Sequence, residues 1–119
     1  MYGLADDTDL SFFNNIELSL VAVGKYSIRF VFENDIDILV HDSRFEHFNA
    51  AGVLLTPDGE FKDGARSLPS LIGQIAVSGR NDDGVLVIDF DNGESLRLYD
   101  DSEHYESYVI GGPNIEIIV

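Results

Sequence analysis

The clearest pattern of hydrophobic and polar residues lies in residues 84–119, where two strand-like runs flank a tight turn. Residues 85–90 are apolar and rich in β-branched side chains, and residues 95–99 alternate, with Leu96 and Leu98 on one face. Between the runs lies Asn92-Gly93, the preferred pair for a type I′ turn because both residues accept positive φ. The pattern therefore predicts a β-hairpin.

The first half of the chain has the same order of features. Phe32-Glu33-Asn34 repeats Phe90-Asp91-Asn92, with strand patterns on both sides. The spacing between matched residues grows along the chain, and both changes fall in or beside predicted turns, which tolerate insertions. The matched positions, in order of increasing spacing, are Gly24 with Gly79, Phe32 with Phe90, and Glu46 with Glu106. We interpret residues 16–57 and 71–119 as two copies of one unit, joined by a linker at residues 58–70.

About ten short strands are predicted along the chain, at the spacing typical of all-β domains. We therefore predict a single domain over residues 1–119 that is all-β and mainly antiparallel, with two halves of about five strands forming a sandwich or a barrel. The alternative is an α+β fold with short helices at residues 43–50 or 64–71. The apolar run at residues 115–119 is expected inside the sheet, because an exposed apolar edge invites aggregation.

Length and composition narrow the class of protein. A chain of 119 residues, 45% of them hydrophobic, can bury a core without covalent cross-links. The absence of cysteine excludes disulfides, thiolate catalysis and cysteine-based zinc sites. No apolar run approaches the roughly 20 residues of a membrane helix, and the N-terminus lacks the layout of a signal peptide. These features predict a cytoplasmic protein.

The net charge of −15 is the most unusual bulk property. Twenty-two acidic residues against seven basic ones disfavour binding to nucleic acid and to anionic membranes. Such a charge favours a basic protein partner through electrostatic steering. The alternatives are that the charge serves solubility alone, or that it reflects a salt-adapted proteome.

The densest group of carboxylates follows the second hairpin. It departs from the spacing of an EF-hand loop, so a calcium site is not predicted, and a solvated connection between strands is the alternative interpretation. Tyrosines in this segment suit a protein interface if they lie on an exposed face, but core or cross-strand packing is the more common reason for such residues. The candidate partner-binding residues are Asp100, Asp101, Glu103, Tyr105, Glu106 and Tyr108.

Candidate chemistry is sparse. The three histidines, His41, His47 and His104, follow no metal-ligand spacing, although a fold that stacks the two copies would bring a histidine and a carboxylate together. The serines lack a nucleophile-elbow context, and the glycines form no phosphate-binding loop. We therefore predict no catalytic residue, no metal ligand and no cofactor.

The C-terminal segment carries one family resemblance. Residues 105–110, Tyr-Glu-Ser-Tyr-Val-Ile, followed by residues 115–119, resemble the ending of small uncharacterised bacterial proteins, some of them similar to immunity proteins of toxin–immunity pairs. The resemblance covers about the last 35 residues. It implies a bacterial binding protein and supplies no catalytic residues.

Three hypotheses follow. The first is a non-enzymatic binding domain, in particular an immunity-type inhibitor that masks a basic toxin or nuclease with its acidic surface. The second is a small metal-dependent or acid–base enzyme that uses the histidines and nearby carboxylates. The third is an assembly subunit, for example a homodimer, that associates through the tyrosine-bearing strand.

Overall fold

A computed structural model describes residues 3–41, 43–56, 65–101 and 106–119. Over these ranges nine strands and two short 3-10 helices, η1 and η2, follow one another. The elements are η1 (Ser11–Phe13), β1 (Ile16–Val23), β2 (Ser27–Phe32), β3 (Asp37–His41), β4 (Phe45–Phe48), η2 (Ala65–Leu71), β5 (Ile75–Asp82), β6 (Val85–Phe90), β7 (Ser95–Leu98), β8 (Tyr108–Gly112) and β9 (Ile115–Ile118).

The strands form one sheet in the order β4-β7-β6-β5-β1-β2-β3-β8-β9. Every pairing in it is antiparallel, which confirms the predicted all-β class. Among the described strands the sheet is not closed, so the barrel form of the prediction is not observed. None of the helices in the described ranges is long and apolar enough to cross a membrane.

The core lies between the two halves of this sheet. Alternate residues of β2 and β3 are buried, as are those of β6 and β7, and all of them belong to one hydrophobic cluster. The described elements outside the sheet are η1 and η2, which are too short to cover nine strands. The inner faces of the two halves therefore cover one another, as the sandwich form of the prediction requires.

The two predicted hairpins make equivalent hydrogen bonds. Glu33 N–H donates to the Glu17 carbonyl at 2.9 Å, and Asp91 N–H donates to the Ile75 carbonyl at 2.8 Å, with donors and acceptors at the same offset along the chain. The pairing of β1 with β2 shifts register next to Phe32, and the pairing of β5 with β6 shifts next to Phe90. This geometry supports the duplication, which stays a prediction.

The fourth strand of each half lies beside the third strand of the other half. Strand β4 pairs with β7, and β8 pairs with β3. In these pairings Phe45 lies opposite Leu98, and Tyr108 lies opposite Val40, so Phe45 and Tyr108 occupy equivalent positions. The sequence alignment that matched Glu46 with Glu106 is therefore wrong at this strand. The second half carries a longer insertion before the strand than the sequence comparison indicated.

Three local predictions have different outcomes. Within residues 43–50, where a short helix was the alternative, Phe45–Phe48 is a strand, because its buried residues alternate. In the predicted linker, residues 58–64 lie outside the described ranges, and Ala65–Leu71 is a 3-10 helix, as the α+β alternative placed one there. The prediction that the last apolar run lies inside the sheet is wrong, because β9 is an edge strand.

Candidate functional site

Two of the predicted partner-binding carboxylates hold the protein's own backbone. Asp100 Oδ2 accepts a hydrogen bond from Gly3 N–H at 2.9 Å, and its Oδ1 accepts one from the Ser107 hydroxyl at 2.7 Å. Burial alone would raise the pKa of Asp100, but these hydrogen bonds outweigh it and hold the pKa below its ordinary value. Asp101 Oδ1 accepts bonds from the Ser43 hydroxyl and from Arg44 N–H. Both carboxylates therefore fix the segment after β7 in place.

The other predicted partner-binding residues are spread between surface and core. Glu103 and Tyr105 lie outside the described ranges. Glu106 is exposed, whereas Tyr108 has no exposed surface. Burial, and to a smaller extent the charge of Asp100, raises the pKa of the Tyr108 hydroxyl. That hydroxyl has no hydrogen-bond partner within the part of the chain that the structure describes.

Asp100 and Asp101 line an open cleft of about 260 Å³, together with Arg44 and Tyr99. The Arg44 guanidinium lies 4.5 Å from the centre of the Tyr99 ring and donates to Glu46 at 2.9 Å, and the Tyr99 hydroxyl also donates to Glu46. Burial would raise the pKa of Glu46, but the bonds from Tyr99 and Arg44 outweigh it and lower that pKa. The polar groups around the cleft are thus already bonded to one another.

The two histidines that the structure describes, His41 and His47, differ in their surroundings. His104 lies outside the described ranges, and His41 is half-buried at the end of β3. His47, by contrast, is completely buried on β4 and has two side-chain partners. Its Nδ1 lies 2.7 Å from the Ser67 hydroxyl, and its Nε2 lies 2.7 Å from Glu94 Oε1. Within the described ranges no group of three or more histidine and acidic side chains is placed to hold a metal ion.

The set Ser67, His47 and Glu94 has the hydrogen bonds that an activated serine needs. The neutral imidazole with its proton on Nε2 satisfies both contacts, since Nε2 donates to Glu94 while Nδ1 accepts from the Ser67 hydroxyl. Ser67 on η2 and Glu94 are half-buried, whereas the imidazole between them is completely buried. The same bonds also satisfy three polar groups next to the core, and so connect η2 to β4 and to the turn after β6.

Four arginines are paired with carboxylates of the chain itself. Arg80 Nε lies 2.8 Å from Asp89, and Arg97 lies 3.6 Å from Asp82. Across the sheet, Arg29 lies 3.8 Å from an acidic partner, Asp37. Together with the pair of Arg44 and Glu46, four arginines are thus engaged with carboxylates.

Three acidic residues lie at or beside the β1–β5 pairing, where the two halves of the sheet join. Glu17 lies opposite Ile75 in the pairing of β1 with β5. Glu33 Oε1 accepts a bond from Glu17 N–H at 2.6 Å, and Asp91 Oδ1 accepts one from Ile75 N–H at 3.1 Å. We call Glu17, Glu33 and Asp91 the axial carboxylates. No lysine or arginine pairs with them in the described part of the chain, and Glu33 and Asp91 are exposed.

The sequence did not indicate the two groups that the fold assembles. The axial carboxylates depend on the pairing of β1 with β5, and Ser67 depends on the position of η2, which has no periodic pattern. The equivalence of Glu33 and Asp91 in the repeated hairpins was the one signal that pointed to them.

No protein-family model matches the chain, and no curated protein or solved structure shows significant similarity to it.

Proposed function

We propose that the protein is a non-enzymatic, acidic binding domain that masks a basic protein partner. The observation that carries the proposal is the unequal use of charge within the chain. Four arginines are held in ion pairs with carboxylates of the chain, whereas the axial carboxylates, of which Glu33 and Asp91 are exposed, have no cationic partner in the described ranges. The net charge of −15 is therefore presented to the surroundings rather than compensated.

The position of these carboxylates suits recognition. Glu33 and Asp91 are held by backbone N–H groups, so their carboxylates are fixed before a partner arrives. A preorganised acidic surface loses less side-chain entropy on binding and attracts a basic partner over a distance. An immunity-type inhibitor of a basic toxin or nuclease is the specific form of the proposal that the C-terminal resemblance implies.

The test is capture of a partner from a lysate of the source cells, with elution by rising salt. The acidic variant is Glu17→Gln with Asp35→Asn, which removes two charges beside the joint and leaves the bonds of Glu33 and Asp91 in place. Asp35 has φ +59°, which asparagine also accepts. We expect a basic protein that elutes at lower salt from this variant than from the wild type.

The matched control is Asp6→Asn with Asp7→Asn, which removes the same charge elsewhere. Both residues are exposed and follow Leu4, whose N–H bonds to Gly84 at the turn between β5 and β6. This turn lies at the opposite end of β6 from Asp91. Equal weakening by both double variants would show a general charge effect, and retention that salt does not change would contradict the proposal.

A second candidate function rests on the hydrogen-bonded trio Ser67, His47 and Glu94. In an acyl transfer, Ser67 Oγ would attack the acyl carbon and give its proton to His47 Nδ1, and that proton would then pass to the leaving group. Glu94 would hold the imidazole in the tautomer that this transfer needs. The complete burial of His47 favours the structural role, which places this candidate second.

An activated p-nitrophenyl ester tests this candidate. Mass spectrometry would detect an acyl group on Ser67 in the wild type and none in Ser67→Ala. Ser70→Ala is the matched control, because Ser70 lies on the same helix and bonds to the Ser67 carbonyl. The absence of acylation and of ester turnover would remove the enzyme hypothesis and leave the trio as a structural element.

A further inference from the structure

Within the described ranges, no segment pairs with the backbone groups on the outer side of β9, the last strand of the sheet. Tyr108 and Val119 exchange hydrogen bonds of 2.9 and 3.3 Å, so they form a hydrogen-bonded pair. Because such pairs alternate along an antiparallel ladder, Ile117 and Ile115 also turn their backbone groups towards β8. The N–H and C=O groups of Glu116 and Ile118 therefore point away from the sheet.

The opposite edge of the sheet is covered. Beside β4, Leu54 forms a bridge with Phe48, and Leu55 N–H donates to the His47 carbonyl at 2.7 Å. No segment within the described ranges does the same for β9. The segment at Leu54 and Leu55 thus lies beside β4 as β9 lies beside β8, but it forms an isolated bridge, whereas β9 is a strand of four residues.

The side chains along β9 are divided between core and solvent. Ile115 and Ile117 pack against the hydrophobic cluster, whereas Ile118 is 54% exposed and Glu116 is exposed. Glu106 is exposed at the other end of the strand, since the next residue, Ser107, donates to the Val119 carbonyl. The free edge therefore offers an apolar side chain with an acidic residue on either side.

Resting on the proposed function, we propose that the β9 edge binds an extended segment of the basic partner as an added β-strand. Backbone bonds to Glu116 and Ile118 would fix the segment, as in other cases of strand addition. An apolar side chain of the segment would contact Ile118, and lysine or arginine side chains would face Glu116 and Glu106. A second copy of this chain fits less well, because it brings another charge of −15 to the same edge.

The probe is a capped synthetic peptide with lysine, valine and lysine at alternate positions (Lys-Thr-Val-Thr-Lys), so that these three side chains share one face of the added strand, and the control is Glu-Thr-Val-Thr-Glu. Amide hydrogen exchange is followed by NMR with and without each peptide. We expect the lysine peptide to slow exchange at Glu116 and Ile118, while Ile115 and Ile117, already bonded to β8, change little. The glutamate peptide should have no effect.

The second part of the test uses the variant Ile118→Pro. Proline removes the N–H group that points away from the sheet and leaves the hydrogen bonds between β9 and β8 in place. We expect it to weaken lysine-peptide binding by about tenfold, with Ile118→Val as the matched control. If the proline variant does not fold, exchange in the wild-type protein still decides the question.

The outcomes separate this proposal from the function on which it rests. Salt-sensitive binding of the lysine peptide without protection of Glu116 and Ile118 overturns the edge proposal and leaves the acidic binding function standing. Failure of the lysine peptide to bind at low salt overturns the edge proposal and counts against the function as well. Protection of both amides without peptide, accompanied by a dimeric mass, assigns the edge to a second copy instead.

Discussion

Glu17 and Ile75 lie directly opposite each other where β1 pairs with β5. Their separation along the chain equals that between Glu33 and Asp91, whose carboxylates bind the backbone N–H groups of Glu17 and Ile75. The Glu17–Ile75 pair thus lies on an approximate twofold axis that relates the two hairpins. Acidic residues of equivalent turns meet there because the halves join at the start of β1 and β5.

His47 makes the first prediction, which concerns stability. We expect His47→Ala to lower the free energy of unfolding by about 2–4 kcal/mol, because it leaves a cavity and removes the partner of both Ser67 and Glu94. Ser67→Ala should cost about 1 kcal/mol, the value of one hydrogen bond. Urea unfolding measures both, with His41→Ala as a half-buried control expected to cost less than about 1 kcal/mol. Equal losses for the two histidines would contradict this assignment.

Tyr108 makes the second prediction. Its buried hydroxyl lacks a partner among the described residues, so Tyr108→Phe should stabilise the protein by up to about 1 kcal/mol. The ring remains in the core, and binding of a basic partner should not change. A clear loss of partner binding in a stable Tyr108→Phe variant would instead show that Tyr108 belongs to the partner-binding interface that the sequence predicted.

Asp100 makes the third prediction, a dependence of stability on pH. Its pKa is lower in the folded protein, so the ionised carboxylate contributes to stability. That contribution is complete above the ordinary carboxyl pKa of about 4 and is lost as the pH falls through the lower value of the folded state. Asp100→Asn should therefore cost about 1–2 kcal/mol at neutral pH and progressively less in acid.

Unfolding of both proteins by urea across this pH range measures the difference between them. Acid also weakens the charge repulsion within a chain of net charge −15, and this changes the stability of both proteins. The effect cancels when the two free energies of unfolding are subtracted. A difference that stays constant down to the lowest pH would show that Asp100 acts through its shape and not through its charge.

The parts of the fold that depend on local sequence were predictable. Asn92-Gly93 correctly marked a turn, but the predicted type I′ is wrong, because Gly93 adopts a positive φ of 87° and Asn92 does not. Alternation at Leu96 and Leu98 correctly gave the buried face of β7. These features depend on the residues of a single hairpin, because the short turn between its two strands makes them pair with each other.

The exchange of strands between the halves was not predictable, because no turn connects β4 to β7 or β8 to β3. The apolar composition of Ile115–Ile118 suggested an interior strand. In the structure this strand, β9, pairs with β8 on one side, and no described strand pairs with its other side. His47 gave no local signal of Ser67 or Glu94, which lie 20 and 47 residues away in sequence and contact it only in the folded chain. The candidate sites therefore depend on contacts between segments that are far apart in the sequence.

The most direct test of the acidic binding function is the association rate of the captured basic partner, measured at several salt concentrations. We predict that the rate for the wild type falls by about tenfold or more as ionic strength rises and screens the carboxylates. At low salt, Glu17→Gln with Asp35→Asn should slow association by about threefold or more, and Asp6→Asn with Asp7→Asn should slow it less. A rate that does not depend on salt, and is the same for all three proteins, would contradict the proposed function.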